Sequence, residues 1–416
     1  MSGIAIGIDL GTSGVRAALV DAAREPLAFA AAPIAAERRR TPESWWHAVG
    51  VVLEALRAQA DLAGVAALAV DGTSGTLLAT DAAGRPLGPA SLYNDIADPA
   101  LVGRIAAAAP ADSAARGATS PAARLLALQH RPGTKLVLHE ADWVLGQLGG
   151  RFGVSDENNA LKTGYDPISR SWPDWLGNAG ADVALLPRVH PAGTPAGPIR
   201  RDLAARFGLP TSALIATGTT DGCAAFLATG AAVAGDGVTS LGSTLTIKLL
   251  SDVAVSAPQF GIYSHRMGAR WLPGGASNSG GGALARHFDA GDLARLSQRI
   301  DPAYDCGLDY YPLPAPGERF PIADAGLAPR ETPRPADDAV FLHGLLEGIA
   351  RIEALAWRRL SELGAPPLRS LRSVGGGAGN PAWTALRARI LGVAMVPARS
   401  EEAAVGTAGL ALQALA

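Results

Sequence analysis

The chain opens with isoleucines at alternate positions, Ile4, Ile6 and Ile8. A polar run follows, Asp9-Leu10-Gly11-Thr12-Ser13-Gly14, and then a second apolar run from Val15 to Val20. Apolar stretches on both sides of a Gly/Ser/Thr cluster predict strand, tight turn, strand. Thr41-Pro42-Glu43 predicts a helix start, with Thr41 as N-cap and Pro42 at the first helical position, and helical spacing continues over 44–59. Residues 65–70 read as a strand. Asp71-Gly72-Thr73-Ser74-Gly75 and then 76–80 read as a polar tip and return strand, a second hairpin. Residues 98–150 are Ala- and Leu-rich and predict mostly helix. Residues 215–218 form a strand emptying into Thr219-Thr220-Asp221-Gly222, with an apolar helix to Ala228.

The opening pattern returns at Val238-Thr239-Ser240-Leu241, with the turn Gly242-Ser243-Thr244 and then Leu245-Thr246-Ile247. This weak internal repeat has too long a period for a solenoid and suggests two related domains, each presenting one hydroxyl-rich turn. Residues 302–339 are Pro- and Asp-rich and read as loop. Leu342, Leu345, Leu346, Ile349, Ile352 and Leu355 keep helical period up to Gly364, with Pro366 beyond. A strand over 371–374 runs into Gly375-Gly376-Gly377-Ala378-Gly379-Asn380, Pro381 opens a helix, and 401–415 reads as another. Strands interleaved with helices give an α/β class.

Composition narrows the picture. A chain of 416 residues fits two domains. With 48% apolar and 18% charged residues, disorder is excluded. A net charge of −2 leaves no basic footprint for nucleic acid or anionic lipid. Cys223 and Cys306 form no CxxC, which fits a reducing compartment. The N-terminus lacks a basic region ahead of a long apolar one, and no apolar run of about 18 residues occurs, so a cytoplasmic, soluble protein is expected. The seven histidines show no HxH or HxxxH spacing, and the chain has no G-x-G-x-x-G, no G-x-x-x-x-G-K-[ST] and no G-x-S-x-G.

Chemistry then rests on the turns. Gly11, Thr12 and Ser13 combine accessible backbone amides with two hydroxyls, a concavity suited to phosphate oxygens, and Asp9 can orient the hydration shell of Mg²⁺. An ordinary hairpin explains the same residues. Gly242, Ser243 and Thr244 repeat the chemistry, and two facing turns can hold a polyphosphate from both sides. At Gly376, Gly377 and Asn380 a flat ligand can lie on glycine backbone beside helix amides. Trp383 is placed to stack on a base or to pack in the core. Asp221, opening a helix, serves either as its cap or as general base for a substrate hydroxyl. The sets Asp71 to Gly75 and Tyr93-Asn94-Asp95 suit hydrogen bonding to a polyol, and both also read as turns.

Taken in order, five segments resemble the FGGY family of carbohydrate kinases, of the sugar kinase, actin and Hsp70 superfamily. They are GIDLGTSGVRAALVD at 7–21, SDENNALKTGYDP at 155–167, GTTDGCAAFLATGA at 218–231, SLGSTLTIK at 240–248 and GGGAGNPAW at 375–383. Within the family the chain looks most like the small D-ribulose kinases of cyanobacteria and plants. The resemblance implies two ribonuclease-H-like domains, 1–226 and 227–416, with ATP and sugar in a cleft between them and the last helix, from about 400, packed back on the first. It assigns Asp9–Gly14 and Gly242–Thr244 to phosphate, and Gly376, Gly377, Asn380 and Trp383 to adenosine. Asp221 becomes the base, and Asp9, Ser74 and Asp221 contact the sugar. ATP with Mg²⁺ and a small-molecule sugar are the implied ligands, in a monomer or homodimer without nucleic acid or membrane. The segment around residue 72 lacks the bulky side chains associated with xylulose kinases, which favours ribulose and keeps xylulose or another polyol as alternatives. A second class, an actin- or Hsp70-like ATPase switch, would use the same turns.

Overall fold

The computed structural model describes residues 3–416. In chain order the first part forms β1 (Ile4–Gly11), β2 (Gly14–Val20), β3 (Pro26–Pro33), α1 (Pro42–Gln59), β4 (Val65–Gly72) and β5 (Leu77–Thr80). Next come α2 (Pro99–Ala108), α3 (Pro121–Leu128), β6 (Leu136–His139), α4 (Glu140–Gly149), β7 (Val154–Asp156), α5 (Glu157–Leu161) and α6 (Asp174–Asn178). Then follow β8 (Arg188–His190), β9 (Pro195–Pro198), α7 (Arg201–Phe207), β10 (Leu214–Ala216) and α8 (Asp221–Ala228). The second part comprises β11 (Asp236–Leu241), β12 (Leu245–Leu249), β13 (Tyr263–Met267), β14 (Arg270–Ser277), α9 (Gly281–Leu284), α10 (Ala290–Ser297) and α11 (Asp338–Glu362). It continues with β15 (Ser370–Val374), α12 (Pro381–Leu391) and β16 (Ala394–Met395), and α13 (Ala403–Gln413) comes last. Contacts divide the chain into two units, 1–228 with 402–416, and 229–401.

The first unit centres on a six-stranded sheet in the order β3-β2-β1-β4-β10-β9. β1 to β3 form an antiparallel meander, and β4 and β10 add in parallel. Each inner strand is covered on both faces, and alternation sorts its side chains by size. Ile6, Ile8, Leu19, Leu68 and Val70 face α1 and α4, meeting Trp45, Val49, Val52, Leu53 and Val144. Ala5, Ala18, Ala67 and Ala69 face the other way, against Ala404, Ala408 and Ala411 of α13. Small residues on that face let the helix come close: a Cβ on Gly7 would lie 2.0 Å from the Ala404 carbonyl oxygen, and one on Gly406 2.0 Å from that of Ala224 in α8.

The second unit repeats the plan, with the order β13-β14-β12-β11-β15-β16, β11 antiparallel to β12 and parallel to β15. α11 buries Phe341, Leu342, Leu345, Leu346, Ile349 and Ile352 in its core, and the chain between α10 and α11 runs as loop.

One expectation is corrected. The segment after β4 does not fold back as a hairpin: β5 pairs with β6, through Leu77↔His139 and Leu78↔Leu138. β4 already has β1 on one edge and β10 on the other, so no edge remains for a return strand.

Candidate active site

The parallel register of β1 and β4 sets Asp9 directly opposite Asp71. Asp9 is 5% exposed, with Arg16 Nη1 3.5 Å from its Oδ2. Burial raises its pKa above the ordinary carboxylate range and the charge of Asp221 adds to this, while the hydrogen bond with Asp71 and the Arg16 guanidinium oppose it. Asp71 is fully buried, and Thr407 of α13 donates to its Oδ2. Burial, and then the neighbouring charge of Asp9, hold Asp71 well above the usual range. Its other oxygen, Oδ1, is buried without a hydrogen-bond partner.

Asp221 is the first residue of α8 and half-buried, with its Oδ1 accepting from the Gly222 amide at 2.6 Å. The segment that presents it is locked from behind. Asn158 Nδ2 donates to Thr219 Oγ1 at 3.0 Å, and Asn159 Nδ2 donates to the Thr219 carbonyl at 3.0 Å and to Asp156 Oδ2 at 2.6 Å. Asp156 caps α5 by accepting from the Asn158 and Asn159 amides. Burial, with the charge of Asp142 adding, raises the Asp156 pKa to about 7. The sequence reading singled out 155–167 by resemblance alone. Its role in holding the Asp221 segment is a tertiary fact without a local signature.

The loop after β4 is also fixed. Thr73 donates from both its amide and its hydroxyl to Glu140 Oε1, each at 2.5 Å, and Thr73 and Thr76 hydroxyls lie 2.7 Å apart. Ser74 Oγ is buried without a hydrogen-bond partner. A buried hydroxyl without a partner is costly unless a ligand completes it. Glu140, at the start of α4, was not anticipated from sequence. Burial raises its pKa to about 8 against the two bonds from Thr73, and the charges of Asp221 and Asp9 add to the rise. Thr12 and Ser13 are exposed at the β1–β2 turn, between the paired Gly11 and Gly14.

In the second unit, Gly242, Ser243, Gly376, Gly377, Asn380 and Trp383 line one cavity of about 840 Å³, within the range of small-molecule sites. Thr244 sits exposed at the tip of its turn. Asn380 caps α12 by accepting from the Trp383 amide at 3.1 Å, and its Nδ2 donates to Ser297 Oγ at 2.8 Å. Both ends of its amide thus bind the cavity walls together. Trp383 is 2% exposed in the core, with Gly377 so close to the indole that a Cβ there would lie 2.5 Å from the ring. Trp383 thus packs in the core and also forms part of the cavity lining. Ser279-Gly280-Gly281-Gly282, which sequence reasoning passed over, supports the turn from below: the Gly281 and Gly282 amides donate to the Gly242 and Ser243 carbonyls, each at 2.9 Å. Three consecutive glycines after a strand were the available signal.

Among the described residues a three-donor cluster with metal-ligand spacing occurs at Asp305, Cys306 and Glu347, far in sequence from the turns. Arg351 and Arg389 already pair with Glu347, and burial pushes the Cys306 thiol up to about 11, so this knot does not suit a cation. The Asp9 region does. Asp221 raises Asp9 by like-charge repulsion, which a divalent cation relieves, and Mg²⁺ takes one or two carboxylates while keeping several waters.

Comparison with known proteins agrees with this organisation. Residues 4–109 match the N-terminal domain of the FGGY family of carbohydrate kinases, and residues 230–415 match its C-terminal domain. The xylulose kinase of Streptomyces rubiginosus is 29% identical, with 98% of this chain and 87% of that protein covered. The xylulose kinase of Escherichia coli K12 is 27% identical over 93% of this chain and 84% of its own length. Among solved structures, a protein described as a xyloylose kinase from Brucella ovis superposes with a TM-score of 0.86 at 25% identity, covering 99% of this chain and 90% of that one. A gluconate kinase from Lactobacillus acidophilus, at 19% identity and a TM-score of 0.85 over 100% of this chain and 90% of its own, shares the fold. The two-domain α/β chain with its paired hydroxyl-rich turns belongs to the FGGY family of carbohydrate kinases, and is an ATP-dependent sugar kinase.

Proposed function

We propose that the chain transfers the terminal phosphoryl group of ATP to the terminal hydroxyl of a pentulose, converting D-ribulose to D-ribulose 5-phosphate. The observation that carries this is the placement of Asp221: a half-buried carboxyl at a helix start, held by a buried Asn158–Asn159–Thr219 network on the unit that also bears Asp9 and the unpaired Ser74 hydroxyl. Asp221 accepts the proton of the sugar hydroxyl as its oxygen bonds to the γ-phosphorus and the bond from that phosphorus to the leaving ADP oxygen breaks. Asp9 and Ser74 hold the sugar. The turn at Gly11, Thr12 and Ser13 and the turn at Gly242, Ser243 and Thr244 bind phosphate oxygens. The cavity at Gly376 and Gly377 takes the nucleoside, with Asn380 and Trp383 shaping it. Asp9 would hold Mg²⁺, and the cation, when bound, would supply positive charge to offset that developing on the transferring group.

The loop beside the acids is built of small residues, Gly72, Thr73, Ser74 and Gly75, and this supports D-ribulose. D-Xylulose is the second reading, favoured by the names of the relatives at 27–29% identity. A panel of pentuloses and polyols ranked by kcat/KM decides between them: a higher value for D-xylulose than for D-ribulose overturns the first. In the same assay Asp221→Asn is expected to bind ATP as the parent does while turnover falls by about two to four decades. Turnover near that of the parent removes Asp221 from the mechanism.

A further inference from the structure

A small recess in the first unit remains unexplained by the roles above. It measures about 20 Å³ and is lined by Gly11, Thr12, Arg39, Trp45, Tyr93 and Glu140, among others. We propose that Arg39 and Glu140 form a recognition pair for the end of the sugar opposite the hydroxyl that is phosphorylated. This deepens the pentulose reading and rests on it.

The case begins with hydrogen-bonding capacity. Glu140 concentrates its protein contacts on one oxygen. Oε1 accepts from the Thr73 amide and hydroxyl, whereas Oε2 has no hydrogen-bond partner among the described residues. The donors behind it are directional: the Tyr93 amide donates to Thr76 Oγ1 at 3.1 Å, leaving the Thr76 hydroxyl proton to reach Thr73 Oγ1, whose own proton goes to Glu140. Oε1 is therefore filled and Oε2 is left for a ligand. Arg39 shows the complementary lack. Its Nε is buried without a partner, and its guanidinium makes no ion pair among the described residues. Its carbonyl, by contrast, is tied down, accepting from Trp45 Nε1 at 2.8 Å. A buried donor left unpaired costs about 1–3 kcal/mol, which a ligand oxygen in the recess would recover.

The two side chains line one recess and do not pair with each other. Arg39 only donates. Glu140 Oε2 accepts as a carboxylate and donates as an acid. A cation is disfavoured by Arg39, while a neutral hydroxyl can bond both side chains. The size sets which hydroxyl it is: about 20 Å³ admits one water-sized group, so a chain end enters and a mid-chain carbon does not. The recess also shares its wall, Gly11 and Thr12, with the phosphate turn, and Glu140 lies near enough to Asp9 and Asp221 to feel both charges.

The test uses the full chain, D-ribulose and its 1-deoxy analogue. Arg39→Ala and Glu140→Ala, with Arg39→Lys and Glu140→Gln as milder changes, are checked for folding by thermal melting and then assayed. The expected result is a sugar KM raised about tenfold to a hundredfold with the ATP KM unchanged, the size expected for a lost hydrogen bond to a charged group. For the parent, loss of the 1-hydroxyl raises the KM similarly, and for the alanine variants it adds little further. A folded variant whose sugar KM stays within twofold of the parent overturns the pair, as does an equal rise for ATP. If the parent phosphorylates no pentulose, the kinase reading for pentuloses fails by itself, and calorimetric titration with D-ribulose decides the pair: binding retained in Arg39→Ala, or absent in the parent, overturns it.

Discussion

At the scale of single residues, the first unit is a study in crowded acids. Burial raises the pKa of Asp9, Asp71 and Glu140, and the charge of Asp221 adds to each rise. Glu140 gives a signed consequence. Its folded-state pKa of about 8 lies above the ordinary 4.5. Below pH 4.5 both folded and unfolded chains are protonated there, and the full contribution is present. As pH rises toward 8 the unfolded chain releases this proton and the folded one retains it, so stability declines and the contribution is lost through pH 8. Asp156, at about 7, acts in the same direction. Glu140→Gln keeps an oxygen for Thr73 and removes the titration. Urea midpoints at pH 5 and pH 9 are therefore expected to fall less in the variant than in the parent, the difference being on the order of a few kcal/mol. Equal falls would show that Glu140 does not titrate in this range. Asp9 and Asp221 stood out in the sequence because Asp9 leads a strand into a small-residue turn and Asp221 opens a helix just after one. Glu140 did not, since a glutamate after a histidine carries no pattern and its partner, Thr73, comes from a distant part of the chain.

Among the elements, those stabilised locally were the legible ones. The β1–β2 and β11–β12 hairpins, α1, α11 and α12 all follow from alternation, helical spacing and a proline at the helix start. The β4–β5 segment shows where such reading stops. Its local pattern is that of a hairpin, and only the later arrival of β6 and β10 decides otherwise. The short α5 is the same kind of case, because its value lies in the cross-chain bonds of Asn158 and Asn159. Replacing Asn159 by alanine strands the Asp156 carboxyl and the Thr219 carbonyl without that donor. Stability should fall by about 1–3 kcal/mol. If the network positions Asp221, kcat should also fall about tenfold or more while the KM for ATP holds, because small displacements of a base are costly. Unchanged kcat in a folded Asn159→Ala protein would leave the network a purely structural part.

For the whole molecule, two sheets of matching plan account for the repeat seen near residues 9 and 242. Their side-chain sorting was partly visible too, as isoleucines alternating with the small Ala5 and Gly7 along β1. What alternation does not reveal is the identity of the helix that the small face receives. That helix is α13, separated from β1 by almost the entire chain, and Gly7 and Gly406 mark how closely it is seated. Gly406→Val is expected to disrupt the first unit, costing several kcal/mol by overpacking and seen as a lower, broader melt with earlier hydrogen exchange in β1. An unchanged melt would mean the helix can shift outward at little cost. The seating of α13 also orders events during translation. Residues 229–401 form a contiguous unit and are available to fold as soon as they leave the ribosome, whereas β1 waits for a helix that lies beyond that whole unit. Until then the alanine face of the sheet has only α8 to cover it, so the first unit reaches its finished packing after the second has been made.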